Sequence, residues 1–383
     1  MKKKIIVHLQ LLPILSGVQN VTLDEIKSID ADRYCIYVVC KEKGGLTDEL
    51  DRLNVRYFLI KSLNRNISIS KDILAFVKLL LLLKQLKPDI LHTHSSKTGI
   101  LGRLVAFVLR IPVIHTVHGF PFDSTDSKIL KYFYYLLESM CCKLSKYLIV
   151  LNSSDLKIAN EMVGNSNCEI KLIPNGVDLS IYPKRLDSRQ KNILKKELLK
   201  ITVVDSVVVG MVGRLWPQKN PLLLLKSFIN LYNNYPELNL YLYFVGDGEL
   251  HESIDKLIKI NKLENRIILM GWRTDIIYVL QSIDIFVLPS LWEGLPLSIL
   301  EAMSSHLPII ASDIPGNRDL VKNGINGLLF KSNDSSSLFN ALEFLVLNET
   351  KRDEFGTNSY QIIRNKFKLS QRVSRIQNIY DLL

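Results

Sequence analysis

Short runs of β-branched and apolar residues alternate with longer amphipathic segments along almost the whole chain. The runs Lys4–Leu9, Cys35–Val39, Arg56–Ile60, Ile90–His94, Val113–Val117 and Tyr147–Leu151 read as strands. Segments of helical period, such as Lys71–Lys87 and Ser127–Ser145, fall between most of them. This alternation predicts a parallel sheet covered by helices on both faces. The pattern pauses at Ile173-Pro174-Asn175-Gly176-Val177-Asp178, and a charged stretch runs on to about residue 200. A second series begins at Val207–Gly213 and continues through Leu240–Val245, Arg266–Met270, Ile285–Pro289 and Pro308–Ala311. The predicted architecture is α/β, with two doubly wound domains, residues 1–178 and 200–365, joined by a linker over 179–199 and facing across a crevice. Open α/β sheets bind ligands beyond the carboxyl ends of their strands, so the motifs there are the candidates for function.

Composition agrees with two domains of ordinary size: 383 residues, 47% apolar and 23% charged, without repeats or low-complexity tracts. The five cysteines, Cys35, Cys40, Cys141, Cys142 and Cys168, are odd in number and lack metal-ligand spacing, and so read as reduced core thiols in a reducing compartment. Lys2, Lys3 and Lys4 before an apolar stretch imitate an export signal, but His8 and Gln10 interrupt it and Pro13 ends it, so a first strand is expected instead.

Charge changes the picture further. Of the net +11, residues 1–200 carry 31 basic and 19 acidic groups, and residues 51–110 alone carry 11 against 3. Such an excess favours an anionic partner: a phospholipid surface, a lipid diphosphate or a nucleic acid. The same region is apolar over Ile73–Leu83 and Ile100–Ile111, each too short for the roughly 20 residues that span a bilayer. These segments are either core helices with outward lysines and arginines, or helices lying on a membrane interface.

Four constellations follow strand ends. Ser16-Gly17-Val18-Gln19 opens a helix, where glycine allows close backbone approach and free N–H groups face phosphate, but it is no dinucleotide fingerprint. Gly213-Arg214-Leu215-Trp216-Pro217-Gln218-Lys219-Asn220 sets two cations, Arg214 and Lys219, at the mouth of the second sheet, with Asn220 a helix N-cap. That suits a diphosphate whose charge grows as a bond to it breaks. In Glu293-Gly294-Leu295-Pro296-Leu297-Ser298-Ile299-Leu300-Glu301, a turn opens a helix whose first N–H groups, at Leu297 and Ser298, offer a phosphate dock. Glu293 would lie near a sugar, and Glu301 would hold a ribose diol.

The fourth is His115-Thr116-Val117-His118-Gly119-Phe120. His118, before a glycine at a strand end, is a catalytic candidate, and His115 is a core residue. Another strand end, Leu91 to Lys97, offers His94, Ser96 and Lys97 as acceptor-binding groups. Zinc is not expected: no cysteine or carboxylate completes the histidines, and alternation is read as splitting each pair across two sheet faces. Asp30-Ala31-Asp32 resembles a manganese-binding Asp-x-Asp but reads as turn chemistry.

Taken in order, Ser16-Gly17-Val18-Gln19, His118-Gly119, Pro174 to Asp178, Gly213-Arg214 with Lys219, Gly246-Asp247-Gly248, and Glu293 to Glu301 resemble glycosyltransferase family 4 over nearly the whole chain. The resemblance implies the GT-B fold, two Rossmann-like domains, and a retaining enzyme. It assigns Arg214 and Lys219 to the nucleotide diphosphate, Glu301 to the ribose, Glu293 to the donor sugar, and His118 to a place beside the reacting sugar. Gly17 would approach the phosphate, and Arg273 of Gly271-Trp272-Arg273 would lie near the base. The chain end, about 366–383, would cross back to the first domain. One departure is Ser16, where many members have a second glycine.

The stretch His92 to Phe122 also resembles bacterial surface-polysaccharide members. This implies a UDP-linked N-acetylhexosamine or hexose as donor and a polyprenyl-diphosphate-linked saccharide as acceptor, in O-antigen, capsule or exopolysaccharide assembly. The enzyme is expected to be cytoplasmic, peripheral on the anionic inner face of the cell membrane, and free of metal or other cofactor. The rivals are a nucleotide-sugar epimerase or a phosphorylase of the same fold and, more remotely, a basic nucleic-acid-binding protein. The last lacks any stacking pattern or recognition motif.

Overall fold

A computed structural model describes residues 3–64, 66, 68–125, 127–183, 185–201, 203 and 205–383, apart from the side chains of Asp123 and Ser124. The chain divides into two compact units: residues 1–176 with 369–383, and residues 177–368.

Unit 1 runs β1 (Lys4–Leu9), α1 (Gly17–Ser28), β2 (Tyr34–Cys40), α2 (Gly45–Arg52), β3 (Tyr57–Leu59), α3 (Ile69–Leu86), β4 (Ile90–His94), α4 (Ser96–Leu109), β5 (Val113–Thr116), α5 (Lys128–Cys142), β6 (Tyr147–Val150), α6 (Ser153–Val163) and β7 (Glu169–Leu172). All strands are parallel, in the order β3-β2-β1-β4-β5-β6-β7. The order reverses between β1 and β4, the switch point at which such sheets open a crevice. Register there sets His8 beside His92. Val7, Leu9, Leu91 and Val105 pack on one face of the sheet. Ile6, Ile90, Ile114 and Tyr380 pack on the other.

Unit 2 runs α7 (Ser188–Leu199), β8 (Val207–Val212), α8 (Pro221–Asn234), β9 (Leu240–Val245), α9 (His251–Ile260), β10 (Ile267–Leu269), α10 (Ile276–Ser282), β11 (Ile285–Leu288), α11 (Leu297–Ser304), β12 (Ile309–Ser312), α12 (Pro315–Leu320), β13 (Gly327–Phe330), α13 (Ser335–Leu347) and α14 (Glu349–Lys366). Its parallel order, β10-β9-β8-β11-β12-β13, reverses between β8 and β11. Strand β9 is buried along its whole length, as expected of a strand covered on both faces. The last helix, α15 (Leu369–Leu382), returns to unit 1. There Arg372 bonds Glu25 of α1 at 2.7 Å and the carbonyls of Ile173 and Pro174 at 2.8 and 3.0 Å.

Residues 179–199, read from the sequence as a linker, belong to unit 2: Lys191 and Lys195 of α7 bond Asp284 at 2.8 and 2.7 Å. Strands β7 and β13 were not anticipated; β7 begins with exposed Glu169, and β13 begins with Gly327, so neither carries a clean apolar run. Arg103, expected to point outward, is fully buried and paired with Glu138 at 2.7 Å. All five cysteines are free thiols.

Candidate functional site

Each unit carries a constellation at its own switch point. In unit 2 the chain leaves β8 at Gly213 with φ +151°, and the N–H of Gly213 donates to Val245 at 2.9 Å. A Cβ on Gly246 would lie 2.2 Å from the Gly213 carbonyl oxygen, so the loops after β8 and β9 touch backbone to backbone. Arg214 lies over the Trp216 ring, 4.0 Å from its centroid. The loop after β11 is laced to this one: the Leu291 N–H donates to the Gln218 carbonyl at 2.8 Å, and the Gln218 side chain donates to the Trp292 carbonyl at 3.0 Å. Gly316 approaches the same loop, where a Cβ would lie 2.2 Å from the Gly294 oxygen.

The sequence gives Lys219 and Glu293 separate roles; the structure joins them in an ion pair, and the Ser290 hydroxyl donates to the same Glu293 oxygen at 2.6 Å. Ser290 had carried no signal in the sequence beyond its place at a strand end. Helix α11 begins at Leu297 with no side-chain cap, so the first-turn N–H groups of Leu297 and Ser298 point an uncapped helix N-terminus outward. Both residues and Glu301, one turn on, are half-buried. Two cations and a helix start thus converge on one sheet mouth, an arrangement that can take up the charge of a departing diphosphate. Two details go beyond the sequence. Arg273 is held by Asp275 through two hydrogen bonds within its own loop. Asn220 stands at the N-cap position of α8 but makes no capping bond; its amide reaches Asn333 at 3.3 Å.

In unit 1, Gly17 opens α1, and a Cβ there would meet nothing within 4 Å. The fold alone does not demand glycine at this position. His118, half-buried just past β5, bonds His94 through Nε2 at 3.2 Å. His94 bonds His8 at 3.0 Å, and His8 and His92 both reach the Tyr380 hydroxyl, at 3.3 and 2.7 Å. Burial pulls His8 and His118 down to about 3. His92 and His94 lie well below the ordinary histidine value, first from burial and then from neighbouring rings. Burial thus favours the neutral form of all four rings.

This geometry corrects the acceptor reading. His94 is fully buried with both nitrogens engaged, so it does not offer a group to an acceptor. Lys97 is held by Asp72 at 2.8 Å and by the Asn66 carbonyl. Ser96 opens α4 and stays half-buried. His115 is the core residue expected, bonded to Thr93 at 2.8 Å. The supposed split of each histidine pair fails for His92 and His94: residues two apart on a strand share a face, and their rings lie 4.5 Å apart. Nitrogens of His8, His92 and His94 come within 4.8 Å of one another, close enough to raise the question of a metal. Sequence reasoning missed His8 and Tyr380. A histidine inside an otherwise apolar first strand was the available signal for one; nothing marked the other.

Comparison with known proteins gives the family and the fold. The family described as "Glycosyl transferases group 1" matches residues 195–362, and "Glycosyltransferase Family 4" matches residues 15–181. The chain is 43% identical, over 98% of its length and 96% of the relative's, to the Escherichia coli UDP-Gal:alpha-D-GlcNAc-diphosphoundecaprenol alpha-1,3-galactosyltransferase. It is 26% identical, over 83% of each chain, to the capsular polysaccharide biosynthesis glycosyltransferase CapM of Staphylococcus aureus. Among solved structures, Anabaena HepE in complex with UDP and glucose superposes with a TM-score of 0.84 at 19% identity, covering 99% of this chain and 100% of that one. That last likeness concerns the fold, which is GT-B. Motifs, fold and relatives coincide, and the chain belongs to glycosyltransferase family 4.

Proposed function

We propose that this glycosyltransferase moves a hexose, galactose in the first instance, from a UDP-linked donor to a saccharide carried on a polyprenyl diphosphate. The step belongs to O-antigen, capsule or exopolysaccharide assembly, and it proceeds with retention of configuration and without a metal or other cofactor. The observation that carries the reading is the 43% identity, over nearly all of both chains, to a protein whose name specifies UDP-galactose and a GlcNAc-diphosphoundecaprenol acceptor. In the reaction, the bond from the anomeric carbon to the diphosphate oxygen breaks and a bond to the acceptor hydroxyl oxygen forms on the same face. The hydroxyl proton passes to a diphosphate oxygen, and UDP leaves. Arg214, Lys219 and the N-terminus of α11 take up the charge that develops on UDP. Glu293 orients the sugar and Glu301 holds the ribose, and the family resemblance gives His118 its role at the reacting sugar.

The same reading sets unit 1 against the anionic inner face of the cell membrane. No helix among the described residues is long and apolar enough to cross a membrane. Helices α3, α4 and α5, however, expose Ile69 (78%), Phe107 (67%) and Ile129 (83%), with Lys71, Lys78, Lys128 and Lys131 exposed on α3 and α5. Apolar groups interleaved with lysines favour an interface, each basic residue near an anionic surface adding about 1 kcal/mol.

The experiment presents purified protein, in EDTA, with UDP-galactose, UDP-glucose and UDP-N-acetylglucosamine. Each is tried with and without a GlcNAc-diphosphate polyprenol, and products are read by mass spectrometry. One hexose gained by the lipid from UDP-galactose supports the proposal. Epimerised donor in the absence of acceptor would move the chain to the epimerase reading, and no turnover of any donor would overturn the proposal.

A further inference from the structure

We propose that Tyr380 of α15 is a positioning residue for His118: its hydroxyl, acting through His8 and His94, decides which nitrogen of the His118 ring carries the proton. The kinetic consequence rests on the glycosyl-transfer reading, whereas the proton arrangement does not.

The chain of contacts is continuous. His92 Nε2 meets the Thr116 hydroxyl at 2.8 Å, and His92 Nδ1 meets the Tyr380 hydroxyl at 2.7 Å. Tyr380 meets His8 Nε2 at 3.3 Å, His8 Nδ1 meets His94 Nε2 at 3.0 Å, and His94 Nδ1 meets His118 Nε2 at 3.2 Å. Both nitrogens of the three inner rings are used, and the three rings are buried to within 1%. A neutral imidazole has one N–H and one lone pair, so each inner ring must donate at one nitrogen and accept at the other. Charged rings are disfavoured, because the site is buried and the Arg372 guanidinium, paired with Glu25, opposes a further positive charge at His92 and His118.

With the Tyr380 hydroxyl donating to one of its two ring partners and accepting from the other, two proton orders satisfy every link. In the first, Tyr380 donates to His92 Nδ1, and His92 donates from Nε2 to Thr116. Tyr380 accepts from His8 Nε2, His8 accepts from His94 Nε2, and His94 accepts from His118 Nε2. His118 then carries its proton on Nε2 and leaves Nδ1 bare. In the second order every proton is reversed, and Nδ1 of His118 becomes a donor. The Tyr380 hydroxyl is 0.6 Å nearer to His92 (2.7 Å) than to His8 (3.3 Å), which favours the first order. His118 thereby offers a hydrogen-bond acceptor at the nitrogen outside the chain.

A metal at the same rings is the competing idea, and the geometry opposes it. His8 Nδ1 and His94 Nε2 face each other at 3.0 Å, in rings only 11° from parallel. Such a contact is a hydrogen bond with its proton between the two nitrogens, and every nitrogen of the three inner rings is already engaged, so a metal would have to break these bonds to bind.

The test uses full-length protein with histidine-selective 15N labelling and long-range 1H–15N correlation, which reports the tautomer of each ring. The wild type is expected to show His118 as a single Nε2–H tautomer at neutral pH. Tyr380→Phe keeps the buried ring and removes only the hydroxyl, so His118 should become a mixture. Thr116→Val removes the acceptor of His92, which should then turn its proton toward Tyr380 and invert the order, giving Nδ1–H at His118. With an active enzyme, Tyr380→Phe should lower kcat threefold to tenfold, the order of one buried hydrogen bond, and leave KM for the nucleotide sugar unchanged. An unchanged His118 tautomer in folded Tyr380→Phe and Thr116→Val protein would overturn the proposal. Should the tautomer change in a protein that transfers no sugar, the relay would stand and the transfer reading alone would fall.

Discussion

Unit 1 should lose stability on mild acidification, well above the pH at which carboxylates titrate. His8 lies on β1 at the centre of the sheet, fully buried, and its folded value is about 3 against an ordinary 6.5. The unfolded chain takes up a proton near 6.5 that the folded chain refuses until about pH 3. Stability therefore rises with pH across this window, is fully present above 6.5, and is lost as pH falls below it. Between pH 7.5 and 5.5, His8 alone removes about 1 kcal/mol, the order of one pH unit of differential protonation. His92 and His94, held low by the same burial, act in the same sense, so the total loss exceeds that of His8. Glu25, raised by burial, works in the opposite direction, with Arg372 countering the shift. The lowered carboxyls of Asp275, Asp284 and Asp381 start from 3.8, outside this window.

The assay is native-state hydrogen exchange of peptides covering β1 and β4, corrected for intrinsic rates, with urea titrations at the two pH values. His8→Asn should lower overall stability yet reduce the loss between pH 7.5 and 5.5 by about 1 kcal/mol. Equal stability of the wild type at both pH values would refute the reasoning, since it would require these rings to be charged or exposed in the fold.

Three further outcomes follow from other contacts. Gly246→Ala meets both a φ of +125° and the Gly213 oxygen at 2.2 Å, and should cost about 3 kcal/mol or more. Gly271→Ala, at φ +64° with open space around it, should cost only about 1 kcal/mol. Trp216, Trp272 and Trp292 all lie in unit 2, so urea unfolding followed by tryptophan fluorescence reads both variants, and equal losses would contradict the packing argument. Glu138→Gln strands the buried Arg103 charge and should cost about 3–5 kcal/mol by urea unfolding, while Arg103→Met with Glu138→Leu recovers most of it; a single-variant loss under about 1 kcal/mol would refute this. Lys219→Ala should lower kcat/KM for the UDP-sugar about a hundredfold to a thousandfold in the mass-spectrometric assay, and a change under tenfold would remove Lys219 from the diphosphate.

The place of the unit 2 constellation in the fold was legible because its signals are local. Gly213, Arg214 and Lys219 follow one strand, Glu293 to Glu301 follow another, and strand ends are where such sheets bind ligands. What pattern could not supply was pairing. Lys219 and Glu293 stand 74 residues apart, and only the adjacency of β8 and β11 brings them into one ion pair. The histidine relay was harder to see, because it depends on register: β1 against β4 places His8 beside His92, and α15 returns across the chain to insert a hydroxyl 288 residues from His92. The two-residue spacing of His92 and His94 did carry the information that they share a face, and it was read the wrong way. Arg103 shows the converse limit: a lone cation in an apolar helix looks like a snorkelling surface group until a partner from the next helix, Glu138, buries it.

These differences share a physical origin. A strand end and a helix start expose backbone groups wherever they occur, so ligand-facing chemistry can be inferred from a short window. A buried polar side chain is tolerable only with a partner, and the partner is chosen by tertiary packing. The three buried imidazoles and the Tyr380 hydroxyl each satisfy that demand through one another, at positions where aliphatic side chains would fill the same sheet without any such requirement. Stability of the sheet therefore does not account for four polar groups here. Among the described residues the network ends on one side at Thr116 and on the other at His118, the ring that the proposed function assigns to the reacting centre, so the buried network is placed to serve that chemistry.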